Sequence, residues 1–307
     1  MRSRSSGFER LIDGLLLLDK PEGLSSTQAT QRVRRLLRVD KAGHVGSLDP
    51  LATGMLPICL GEATKLAGEV LEGAKVYRFR IALGRATTTG DREGEVCETA
   101  AVPTIDPAQL KTVLATFLGD SLQVPPMYSA LKRDGKPLYA IARAGGTVER
   151  QPRPIHIARL ECFDSGVDWL DCEVICGKGT YVRVLAEDIA KALGSCGHVA
   201  RLRRTRVEPF PEHAMIELAA VEARIAAGEP LELLGPEVTV GHLAAVVLDA
   251  RGAVALAQGR QVRAECGAPV GSSVRVSAPG GVFMGLGRVT APGIVAPKRL
   301  VAQKVSE

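Results

Sequence analysis

The residue composition and the hydrophobic pattern of the sequence change near Pro236, and this change limits the possible folds more than any other feature. Before it, segments with the period of amphipathic helices are interspersed with segments that alternate like strands. After it, short valine-rich runs are separated by Gly or Pro about every ten residues, which is typical of a small β-barrel. A chain of 307 residues is long enough for one sizeable core and a smaller module. We therefore predict a mixed α/β domain followed by an all-β domain.

Local patterns place the elements of the first domain. The apolar run at 15–18 predicts a buried strand. Ser25 and Gln28 have the spacing of a capping box, which predicts that a helix begins there. The alternation of apolar and charged residues at 75–83 predicts a strand with Tyr77 on its apolar face. Further patterns predict helices at 106–118, 137–143, 185–194 and 216–227, and a strand at 170–176.

The segment AGHVGSLDPLATG at 42–54 contains three glycines and a proline and therefore predicts a structured loop. Pro50 restrains Asp49 towards an extended backbone, while Gly46 and Gly54 permit sharp bends on either side. The loop can thus present the Asp49 carboxylate rigidly. On this pattern alone, an aspartate that only caps a turn remains the alternative.

The charge pattern suggests a polyanionic partner. The formal net charge is +5, and Arg201, Arg203, Arg204 and Arg206 fall within one short stretch. Such a run is suited to phosphate groups, although cations that simply solvate the surface are the alternative. The segment 123–153 is also rich in Pro, Gly and cations, and we interpret it as a mobile basic insertion.

The cysteines and the N-terminus suggest a compartment. The seven cysteines form no CxxC pair and have no metal-finger spacing with histidine, which favours reduced thiols in the cytoplasm and no bound metal. Residues 1–10 are polar and basic without the apolar core of a signal peptide, so we expect a disordered tail. No apolar stretch reaches the length that spans a membrane.

Five ordered blocks of sequence resemble the TruB family of bacterial tRNA pseudouridine synthases. They are LLLLDKPEGLSS at 15–26, KAGHVGSLDPLATGMLPICLGEATK at 41–65, KVYRFRIALGRATTTGDREGEV at 75–96, QVPPMYSALKRDGKPLYAIARAG at 123–145 and GKGTYVRVLAEDIAKALGSCGHVARLRRTRVEPF at 177–210. The resemblance implies an α+β pseudouridine synthase fold, with a mixed, largely antiparallel sheet and flanking helices. It also implies a catalytic domain at 11–239 and a PUA-like RNA-binding β-barrel at 240–307, where a generic β module is the alternative.

The resemblance also implies the roles of particular residues. Asp49 matches the catalytic carboxylate of the family, and Arg183 matches the residue that forms an ion pair with it. His44 matches a residue that holds the tRNA loop, Tyr77 an aromatic residue that packs on the flipped base, and Tyr181 a tyrosine that assists proton removal from C5. The remaining matches are positions in or beside the pocket, namely Lys20, Pro21, Asp91 and Leu202.

Without the resemblance, each of these residues has a plainer explanation. Tyr77 would be a core residue, His44 a hydrogen-bonded loop histidine, and Arg183 a surface charge near the start of a helix.

The function implied is the isomerisation of uridine 55 in the TΨC arm of tRNA. The reaction transfers the uracil from an N1 to a C5 linkage without net redox change, so we expect no cofactor and no metal. The insertion resembles the loop with which stand-alone members of the family grip the T arm, so we expect a monomer that needs no guide RNA and no protein partner. The alternatives are an enzyme that depends on a guide RNA and a non-catalytic RNA-binding protein.

Overall fold

The computed structural model describes residues 12–71, 73–133 and 135–301, so the tail predicted at 1–10 lies outside the described residues. The helices are α1 Ser26–Leu37, α2 Ala67–Leu71, α3 Pro107–Ala115, α4 Leu138–Arg143, α5 Val182–Ala192, α6 Leu218–Ala226 and α7 Ala250–Ala257, with short 3-10 helices at Gly61–Leu66, Glu212–Ala214, Pro236–Val240 and Pro279–Gly281. The strands of the first domain are β1 Gly14–Lys20, β2 Ala42–His44, β3 Thr53–Leu60, β4 Lys75–Leu83, β5 Arg85–Thr87, β6 Val96–Thr99, β7 Gly119–Gln123, β8 Lys132–Arg133, β9 Lys136–Pro137, β10 Arg153–Ser165, β11 Trp169–Cys176, β12 Gly197–Val207 and β13 Ile216–Glu217. Those of the second domain are β14 Ala245–Val247, β15 Val262–Arg263, β16 Ser273–Ser277, β17 Phe283–Ala291 and β18 Ile294–Leu300.

A mixed sheet organises the first domain. Its strands follow the order β13-β1-β3-β12-β4-β11-β10-β7, with β2 paired to β3. The pairs β1/β13 and β3/β12 are parallel and the others are antiparallel. This confirms the predicted α+β class with a largely antiparallel sheet and flanking helices.

The sheet is covered on both faces, which explains the uninterrupted apolar run in β1. Leu16 and Leu18 belong to the main core, to which α1, α3, α5 and α6 contribute. Leu15 and Leu17 point to the opposite face and belong to a second cluster with Met55. Successive residues of a strand point to opposite faces, so a strand buried on both sides needs apolar residues at every position.

Most predicted elements are present, and the errors lie at their ends. The capping box of Ser25 and Gln28 begins α1 as predicted. The helix predicted at 106–118 ends at Ala115, because Thr116 forms a tighter turn by donating its N–H to Val113 O. The helix predicted at 216–227 begins only at Leu218, because the preceding two residues pair with β1. The predicted loop at 42–54 is shorter, since β2 and β3 include its two ends.

The second domain is a five-stranded sheet in the order β14-β16-β17-β18-β15. The expectation that it is all-β is wrong, because α7 packs on the sheet through Ala253 and Leu256. Asp249 begins this helix by accepting a hydrogen bond from the Gly252 N–H, as an N-cap residue does. The small β domain predicted after Pro236 is therefore present, with one helix added.

Contacts of two kinds join the domains. Leu66, Val240 and Leu286 form a small buried cluster between them. Beside this cluster, Lys298 forms an ion pair of 3.1 Å with Glu69. Within the described ranges, no helix is long and apolar enough to cross a membrane.

The four arginines of the run on β12 lie in different surroundings. Arg204 is 1% exposed, and its guanidinium donates to Met55 O and Gly46 O, both at 2.7 Å. Arg203 is paired with Asp19 through two hydrogen bonds of 2.9 and 2.7 Å. Arg206 lies 3.5 Å from a Glu208 carboxylate oxygen. The prediction that all four arginines bind phosphate is therefore wrong for Arg204, because a strand turns neighbouring side chains to different surroundings, and it remains a prediction for the other three.

The burial of Arg204 gives a stability prediction. Replacing Arg204 by methionine should lower the free energy of unfolding by about 2–4 kcal/mol, because buried carbonyls lose their donors. Arg201→Met is the matched control, since Arg201 is exposed on the same strand, and its change should stay within about 0.5 kcal/mol. Urea unfolding followed by the fluorescence of Trp169, the single tryptophan, measures both. Equal losses for the two variants would contradict the structural role of Arg204.

Candidate active site

The loop that carries Asp49 occupies residues 45–52, between β2 and β3. Gly46 and Gly54 have φ angles of +68° and +99°, a conformation that favours glycine. A Cβ atom on Gly54 would lie 2.2 Å from the backbone oxygen of Arg204, and one on Gly46 would lie 3.1 Å from its guanidinium. Both glycines are thus required because the loop closes tightly onto β12.

Ser26 and Lys20 hold the other side of this loop. The Ser26 hydroxyl accepts from the Leu48 N–H at 2.7 Å and donates to the Leu48 carbonyl at 3.0 Å. The Lys20 ammonium is buried and donates to the carbonyls of Leu24 at 2.6 Å and Pro50 at 3.3 Å. Burial lowers the pKa of Lys20 to about 8. Lys20 therefore helps to hold the loop in place through the Pro50 carbonyl, next to Asp49.

Arg183 lies between two carboxylates. Its Nε is 2.9 Å from Asp49 Oδ2 and 3.7 Å from Asp91 Oδ2. The guanidinium also donates to Thr89 O and Tyr128 O, both at 2.6 Å, so all three of its nitrogens have partners. Arg183 is only 3% exposed, whereas 38% of the Asp49 side chain is exposed. The predicted ion pair is present, and Asp49 is its accessible end.

The surroundings of Asp49 determine its charge. Burial of the carboxyl group raises the pKa of Asp49, and the adjacent Arg183 guanidinium opposes this rise. Asp91 raises the pKa of Asp49 further, because like charges resist ionisation together. Asp91 itself is held by the Thr89 hydroxyl at 2.6 Å and the Glu93 N–H at 3.1 Å. Asp49 and Arg183 thus form a pair of one buried cation and one partly exposed carboxylate.

Asp49, Asp91 and Arg183 line a cavity of about 530 Å³. The insertion contributes Tyr128 and Arg143 to the same wall, a contribution that the sequence analysis missed. The basic composition of the segment was visible, but its fold back over the sheet depends on tertiary contacts. The cavity is a place where a nucleotide could meet the exposed Asp49 carboxylate.

Tyr77 and Leu202 lie on adjacent strands, β4 and β12, of the sheet beside the loop. The Tyr77 hydroxyl is 3.5 Å from the Arg204 guanidinium, and burial raises the pKa of Tyr77. Leu202 is buried and pairs with Phe79. Neither residue borders the cavity in which Asp49 lies. Their predicted contact with a flipped base therefore remains a prediction.

His44 lies at the end of β2 and forms a short hydrogen-bonded chain. Its Nδ1 is 3.1 Å from the Thr30 hydroxyl, and its Nε2 is 3.2 Å from the Ser47 hydroxyl. The Thr30 hydroxyl lies 2.7 Å from Ser26 O, and when it donates there, Nδ1 of His44 is the donor to Thr30. Burial, and then the charge of Arg204, lower the pKa of His44. The lowered pKa favours the neutral form of His44 at pH 7.

Tyr181 is the N-cap residue of α5, two positions before Arg183. Burial raises the pKa of Tyr181, and the charge of Asp49 raises it further. The same charge acts on the pKa of Tyr77. The two tyrosines thus lie within electrostatic reach of Asp49, and the role predicted for Tyr181 in removing the C5 proton remains a prediction.

No group of three or more His, Cys, Asp or Glu residues among the described positions has the arrangement of a metal site. The cation in contact with Asp49 is the guanidinium of Arg183, which stabilises negative charge through its planar set of N–H donors. The arrangement suits a reaction that needs a carboxylate held beside a buried cation at the edge of a cavity.

Comparison with known proteins gives consistent matches along the chain. Residues 34–182 match a model described as TruB family pseudouridylate synthase (N terminal domain). Residues 183–254 match a tRNA pseudouridylate synthase B C-terminal domain, and 244–301 match Pseudouridine synthase II TruB, C-terminal.

Proteins named tRNA pseudouridine synthase B are similar to this chain. The one from Aromatoleum aromaticum is 49% identical over 95% of this chain and 94% of that protein. The one from Stutzerimonas stutzeri is 47% identical over 95% of this chain and 96% of that protein. A structure described as a Cbf5-Nop10-Gar1 complex aligns with a TM-score of 0.71 at 24% identity, covering 95% of this chain and 84% of that one. This last likeness shows the fold alone, which is the pseudouridine synthase fold with an added C-terminal domain.

Proposed function

The chain belongs to the TruB family of pseudouridine synthases, and we propose that it converts uridine 55 in the T arm of tRNA to pseudouridine, with Asp49 as the catalytic carboxylate. The observation on which this proposal rests is the accessible Asp49 carboxylate, held at 2.9 Å by the buried Arg183 at the edge of a cavity. The substrate class follows from the relatives, which are named tRNA pseudouridine synthases. The enzyme is therefore an isomerase.

The chemistry explains why the carboxylate must be ionised. The bond from uracil N1 to ribose C1′ breaks, the base turns, and a bond from C5 to C1′ forms. A carboxylate can act on the ribose during this exchange as a nucleophile or as a base, and both roles require the anion. Because desolvation alone would protonate Asp49, the guanidinium of Arg183 is needed to keep a useful fraction ionised.

Base flipping accounts for the other residues at the site. A uridine inside a folded RNA must leave its stack before Asp49 can reach the ribose, at a cost of a few kcal/mol. Stacking of the uracil on Tyr77 would offset part of that cost. Neutral His44 would help to hold the opened loop of RNA, and Tyr181 would assist removal of the C5 proton. Lys20 and Asp91 would position the loop and Arg183, while Leu202 would form part of the wall behind the base.

Direct recognition of the T arm fits the position of the insertion. Tyr128 and Arg143 belong to this segment and also line the Asp49 cavity, so an RNA gripped by the insertion would lie above the carboxylate. This arrangement favours a stand-alone enzyme over one that takes its target from a guide RNA. We further propose that residues 11–239 form the catalytic domain and 240–307 a PUA-like RNA-binding domain, and that the enzyme works as a cytoplasmic monomer.

Incubation with an unmodified tRNA transcript tests this function. The purified protein should form pseudouridine at position 55 in buffer that contains a chelator and no nucleotide, cofactor or guide RNA. Chemical labelling of pseudouridine followed by primer extension identifies the modified position. Loss of modification on chelation, or modification at another position only, would contradict the proposal.

The raised pKa of Asp49 gives a prediction for the pH dependence. The reactive form is the anion, and an aspartate is ionised above its pKa, so the rate should fall as the pH drops through that value. Since the pKa of Asp49 is raised above its ordinary 3.8, the fall should begin at a higher pH than for an unperturbed aspartate. Single-turnover rates at saturating enzyme, with circular dichroism at each pH, measure this limb. A rate that stays constant down to pH 4 in a folded protein would contradict the assignment.

A further inference from the structure

Gln123 holds the backbone of Tyr181 at two points. Its side-chain Oε1 accepts a hydrogen bond from the Tyr181 N–H at 2.8 Å, and its Nε2 donates to the Tyr181 carbonyl at 3.2 Å. Gln123 is 6% exposed, so water competes little for either bond. A primary amide has a donor and an acceptor side by side. The Gln123 amide therefore bonds both backbone polar groups of Tyr181, as the peptide groups of a paired strand would.

The bonded residue is the one from which the active-site helix begins. Tyr181 is the N-cap of α5 and has no side-chain cap hydrogen bond of its own. Arg183 follows two positions later, in the first turn of α5. Fixing the Tyr181 peptide thus fixes both the direction in which the Tyr181 ring leaves the backbone and the start of the helix that carries Arg183.

Gln123 also lies at the base of the insertion. It is the last residue of β7 and pairs with Arg153, the first residue of β10, so the segment between them leaves and rejoins the sheet at one point. The same segment contains Tyr128, whose carbonyl accepts from Arg183 at 2.6 Å. The insertion is therefore bonded both to Tyr181 and to Arg183.

We propose that Gln123 is a positioning residue for pseudouridine formation, coupling the base of the insertion to Tyr181 and to the ion pair of Arg183 with Asp49. The proposal rests on the proposed function of the site. Gln123 does not border the cavity lined by Asp49 and Arg183, so its effect passes through the backbone of Tyr181. An RNA that moves the insertion would change the geometry of the catalytic pair through this amide.

The variants Gln123→Ala and Gln123→Glu separate positioning from general damage. Alanine removes both bonds to Tyr181. Glutamate keeps an acceptor for the Tyr181 N–H but places its second oxygen against the Tyr181 carbonyl, where only a protonated carboxyl can donate. The glutamate variant should therefore recover as the pH falls. Gln109→Glu is the matched control, since Gln109 is exposed on α3.

The test measures the single-turnover rate and the tRNA dissociation constant of each protein from pH 5.5 to 8.5. We expect Gln123→Ala to lose about 10- to 100-fold in rate, the effect of a small misplacement at a catalytic site, with a dissociation constant within about threefold of wild type. The rate of Gln123→Glu, divided by the wild-type rate at each pH, should rise as the pH falls. Rates within twofold of wild type, a loss without this recovery, or a loss that matches weaker binding would overturn the proposal.

Hydrogen exchange of the Tyr181 amide supplies a readout that needs no activity. In the wild-type protein this amide should be protected, and in Gln123→Ala it should exchange at least tenfold faster, while the middle of α5 stays protected. If the wild-type protein were inactive on tRNA, the proposed function would fail while this measurement still tested the contact. Unchanged exchange in the alanine variant would show that Gln123 does not hold Tyr181.

Discussion

Replacing Asp49 by asparagine should lower the rate of pseudouridine formation by at least about 10⁴-fold, because neither a nucleophilic nor a basic role survives without the anion. Asparagine keeps the shape of the side chain and can still accept a hydrogen bond from Arg183. The remaining site would still bind and orient the uridine, but positioning cannot replace the missing carboxylate. Pseudouridine content after a single turnover, with enzyme in excess over tRNA, measures the loss.

The same variant should fold and bind tRNA. Arg183 keeps its bonds to Thr89 O and Tyr128 O, and Asp91 remains 3.7 Å away, so its charge is not left isolated. Phosphate contacts supply most of the affinity for RNA, so the dissociation constant should stay within about tenfold of wild type. The exposed Asp40 provides the control variant Asp40→Asn, which should react at the wild-type rate. A folded Asp49→Asn protein without tRNA affinity would contradict this separation of binding from chemistry.

Replacing Arg183 by methionine is expected to have the second largest effect. The substitution leaves Asp49 and Asp91 close together without their shared cation, so the pKa of Asp49 should rise further and less of it should be ionised. We expect a loss of at least about 10³-fold in the rate at pH 7, because the anion becomes scarce and loses its orientation. The acid limb of the single-turnover rate should move to higher pH, which distinguishes this effect from simple unfolding.

Stability should also fall in this variant. Removing one partner of a fully buried ion pair costs about 3–5 kcal/mol, and the partial exposure of Asp49 and protonation of an aspartate would both reduce that loss. Arg183→Lys retains the charge but lacks the planar set of donors that reaches Thr89 O, Tyr128 O and Asp49 together. It should therefore keep the acid limb nearer to that of wild type while losing rate. An acid limb that stays in place in both variants would show that Arg183 does not control the ionisation of Asp49.

Local patterns predicted the parts of this protein that local chemistry determines. The alternation at Lys75–Leu83 and the capping box at Ser25 both gave the correct element, because each depends on the residues beside it. The bends at Gly46 and Gly54 were also predicted from the chain itself. The predictions of secondary structure failed where pairing with a distant strand determines the conformation. The strand at Ile216–Glu217 forms because β1 is there to pair with it, which no local pattern reveals.

The clustering of charged residues predicted the RNA-binding surface less reliably than local patterns predicted the secondary structure. Arg203 and Arg204 resembled parts of an RNA-binding patch, yet Arg203 pairs with Asp19 and Arg204 is buried under the loop that carries Asp49. A sequence shows that a side chain is cationic but does not show which carbonyl or carboxylate the fold brings to it. The contacts of Gln123 with Tyr181 join residues 58 positions apart, and nothing in either local sequence indicates them.

The proposed catalytic role of Asp49 is tested most directly by the release of tritium from uracil C5 of tRNA. The release is measured with saturating enzyme, for the wild-type protein and for Asp49→Asn. Release of this label follows the transfer of C5 to the ribose and does not depend on product dissociation. We expect that both proteins bind the labelled tRNA and that the variant releases tritium at least about 10⁴-fold more slowly. A variant that binds normally and releases tritium within tenfold of the wild-type rate would contradict the role of Asp49 and the mechanism built on it.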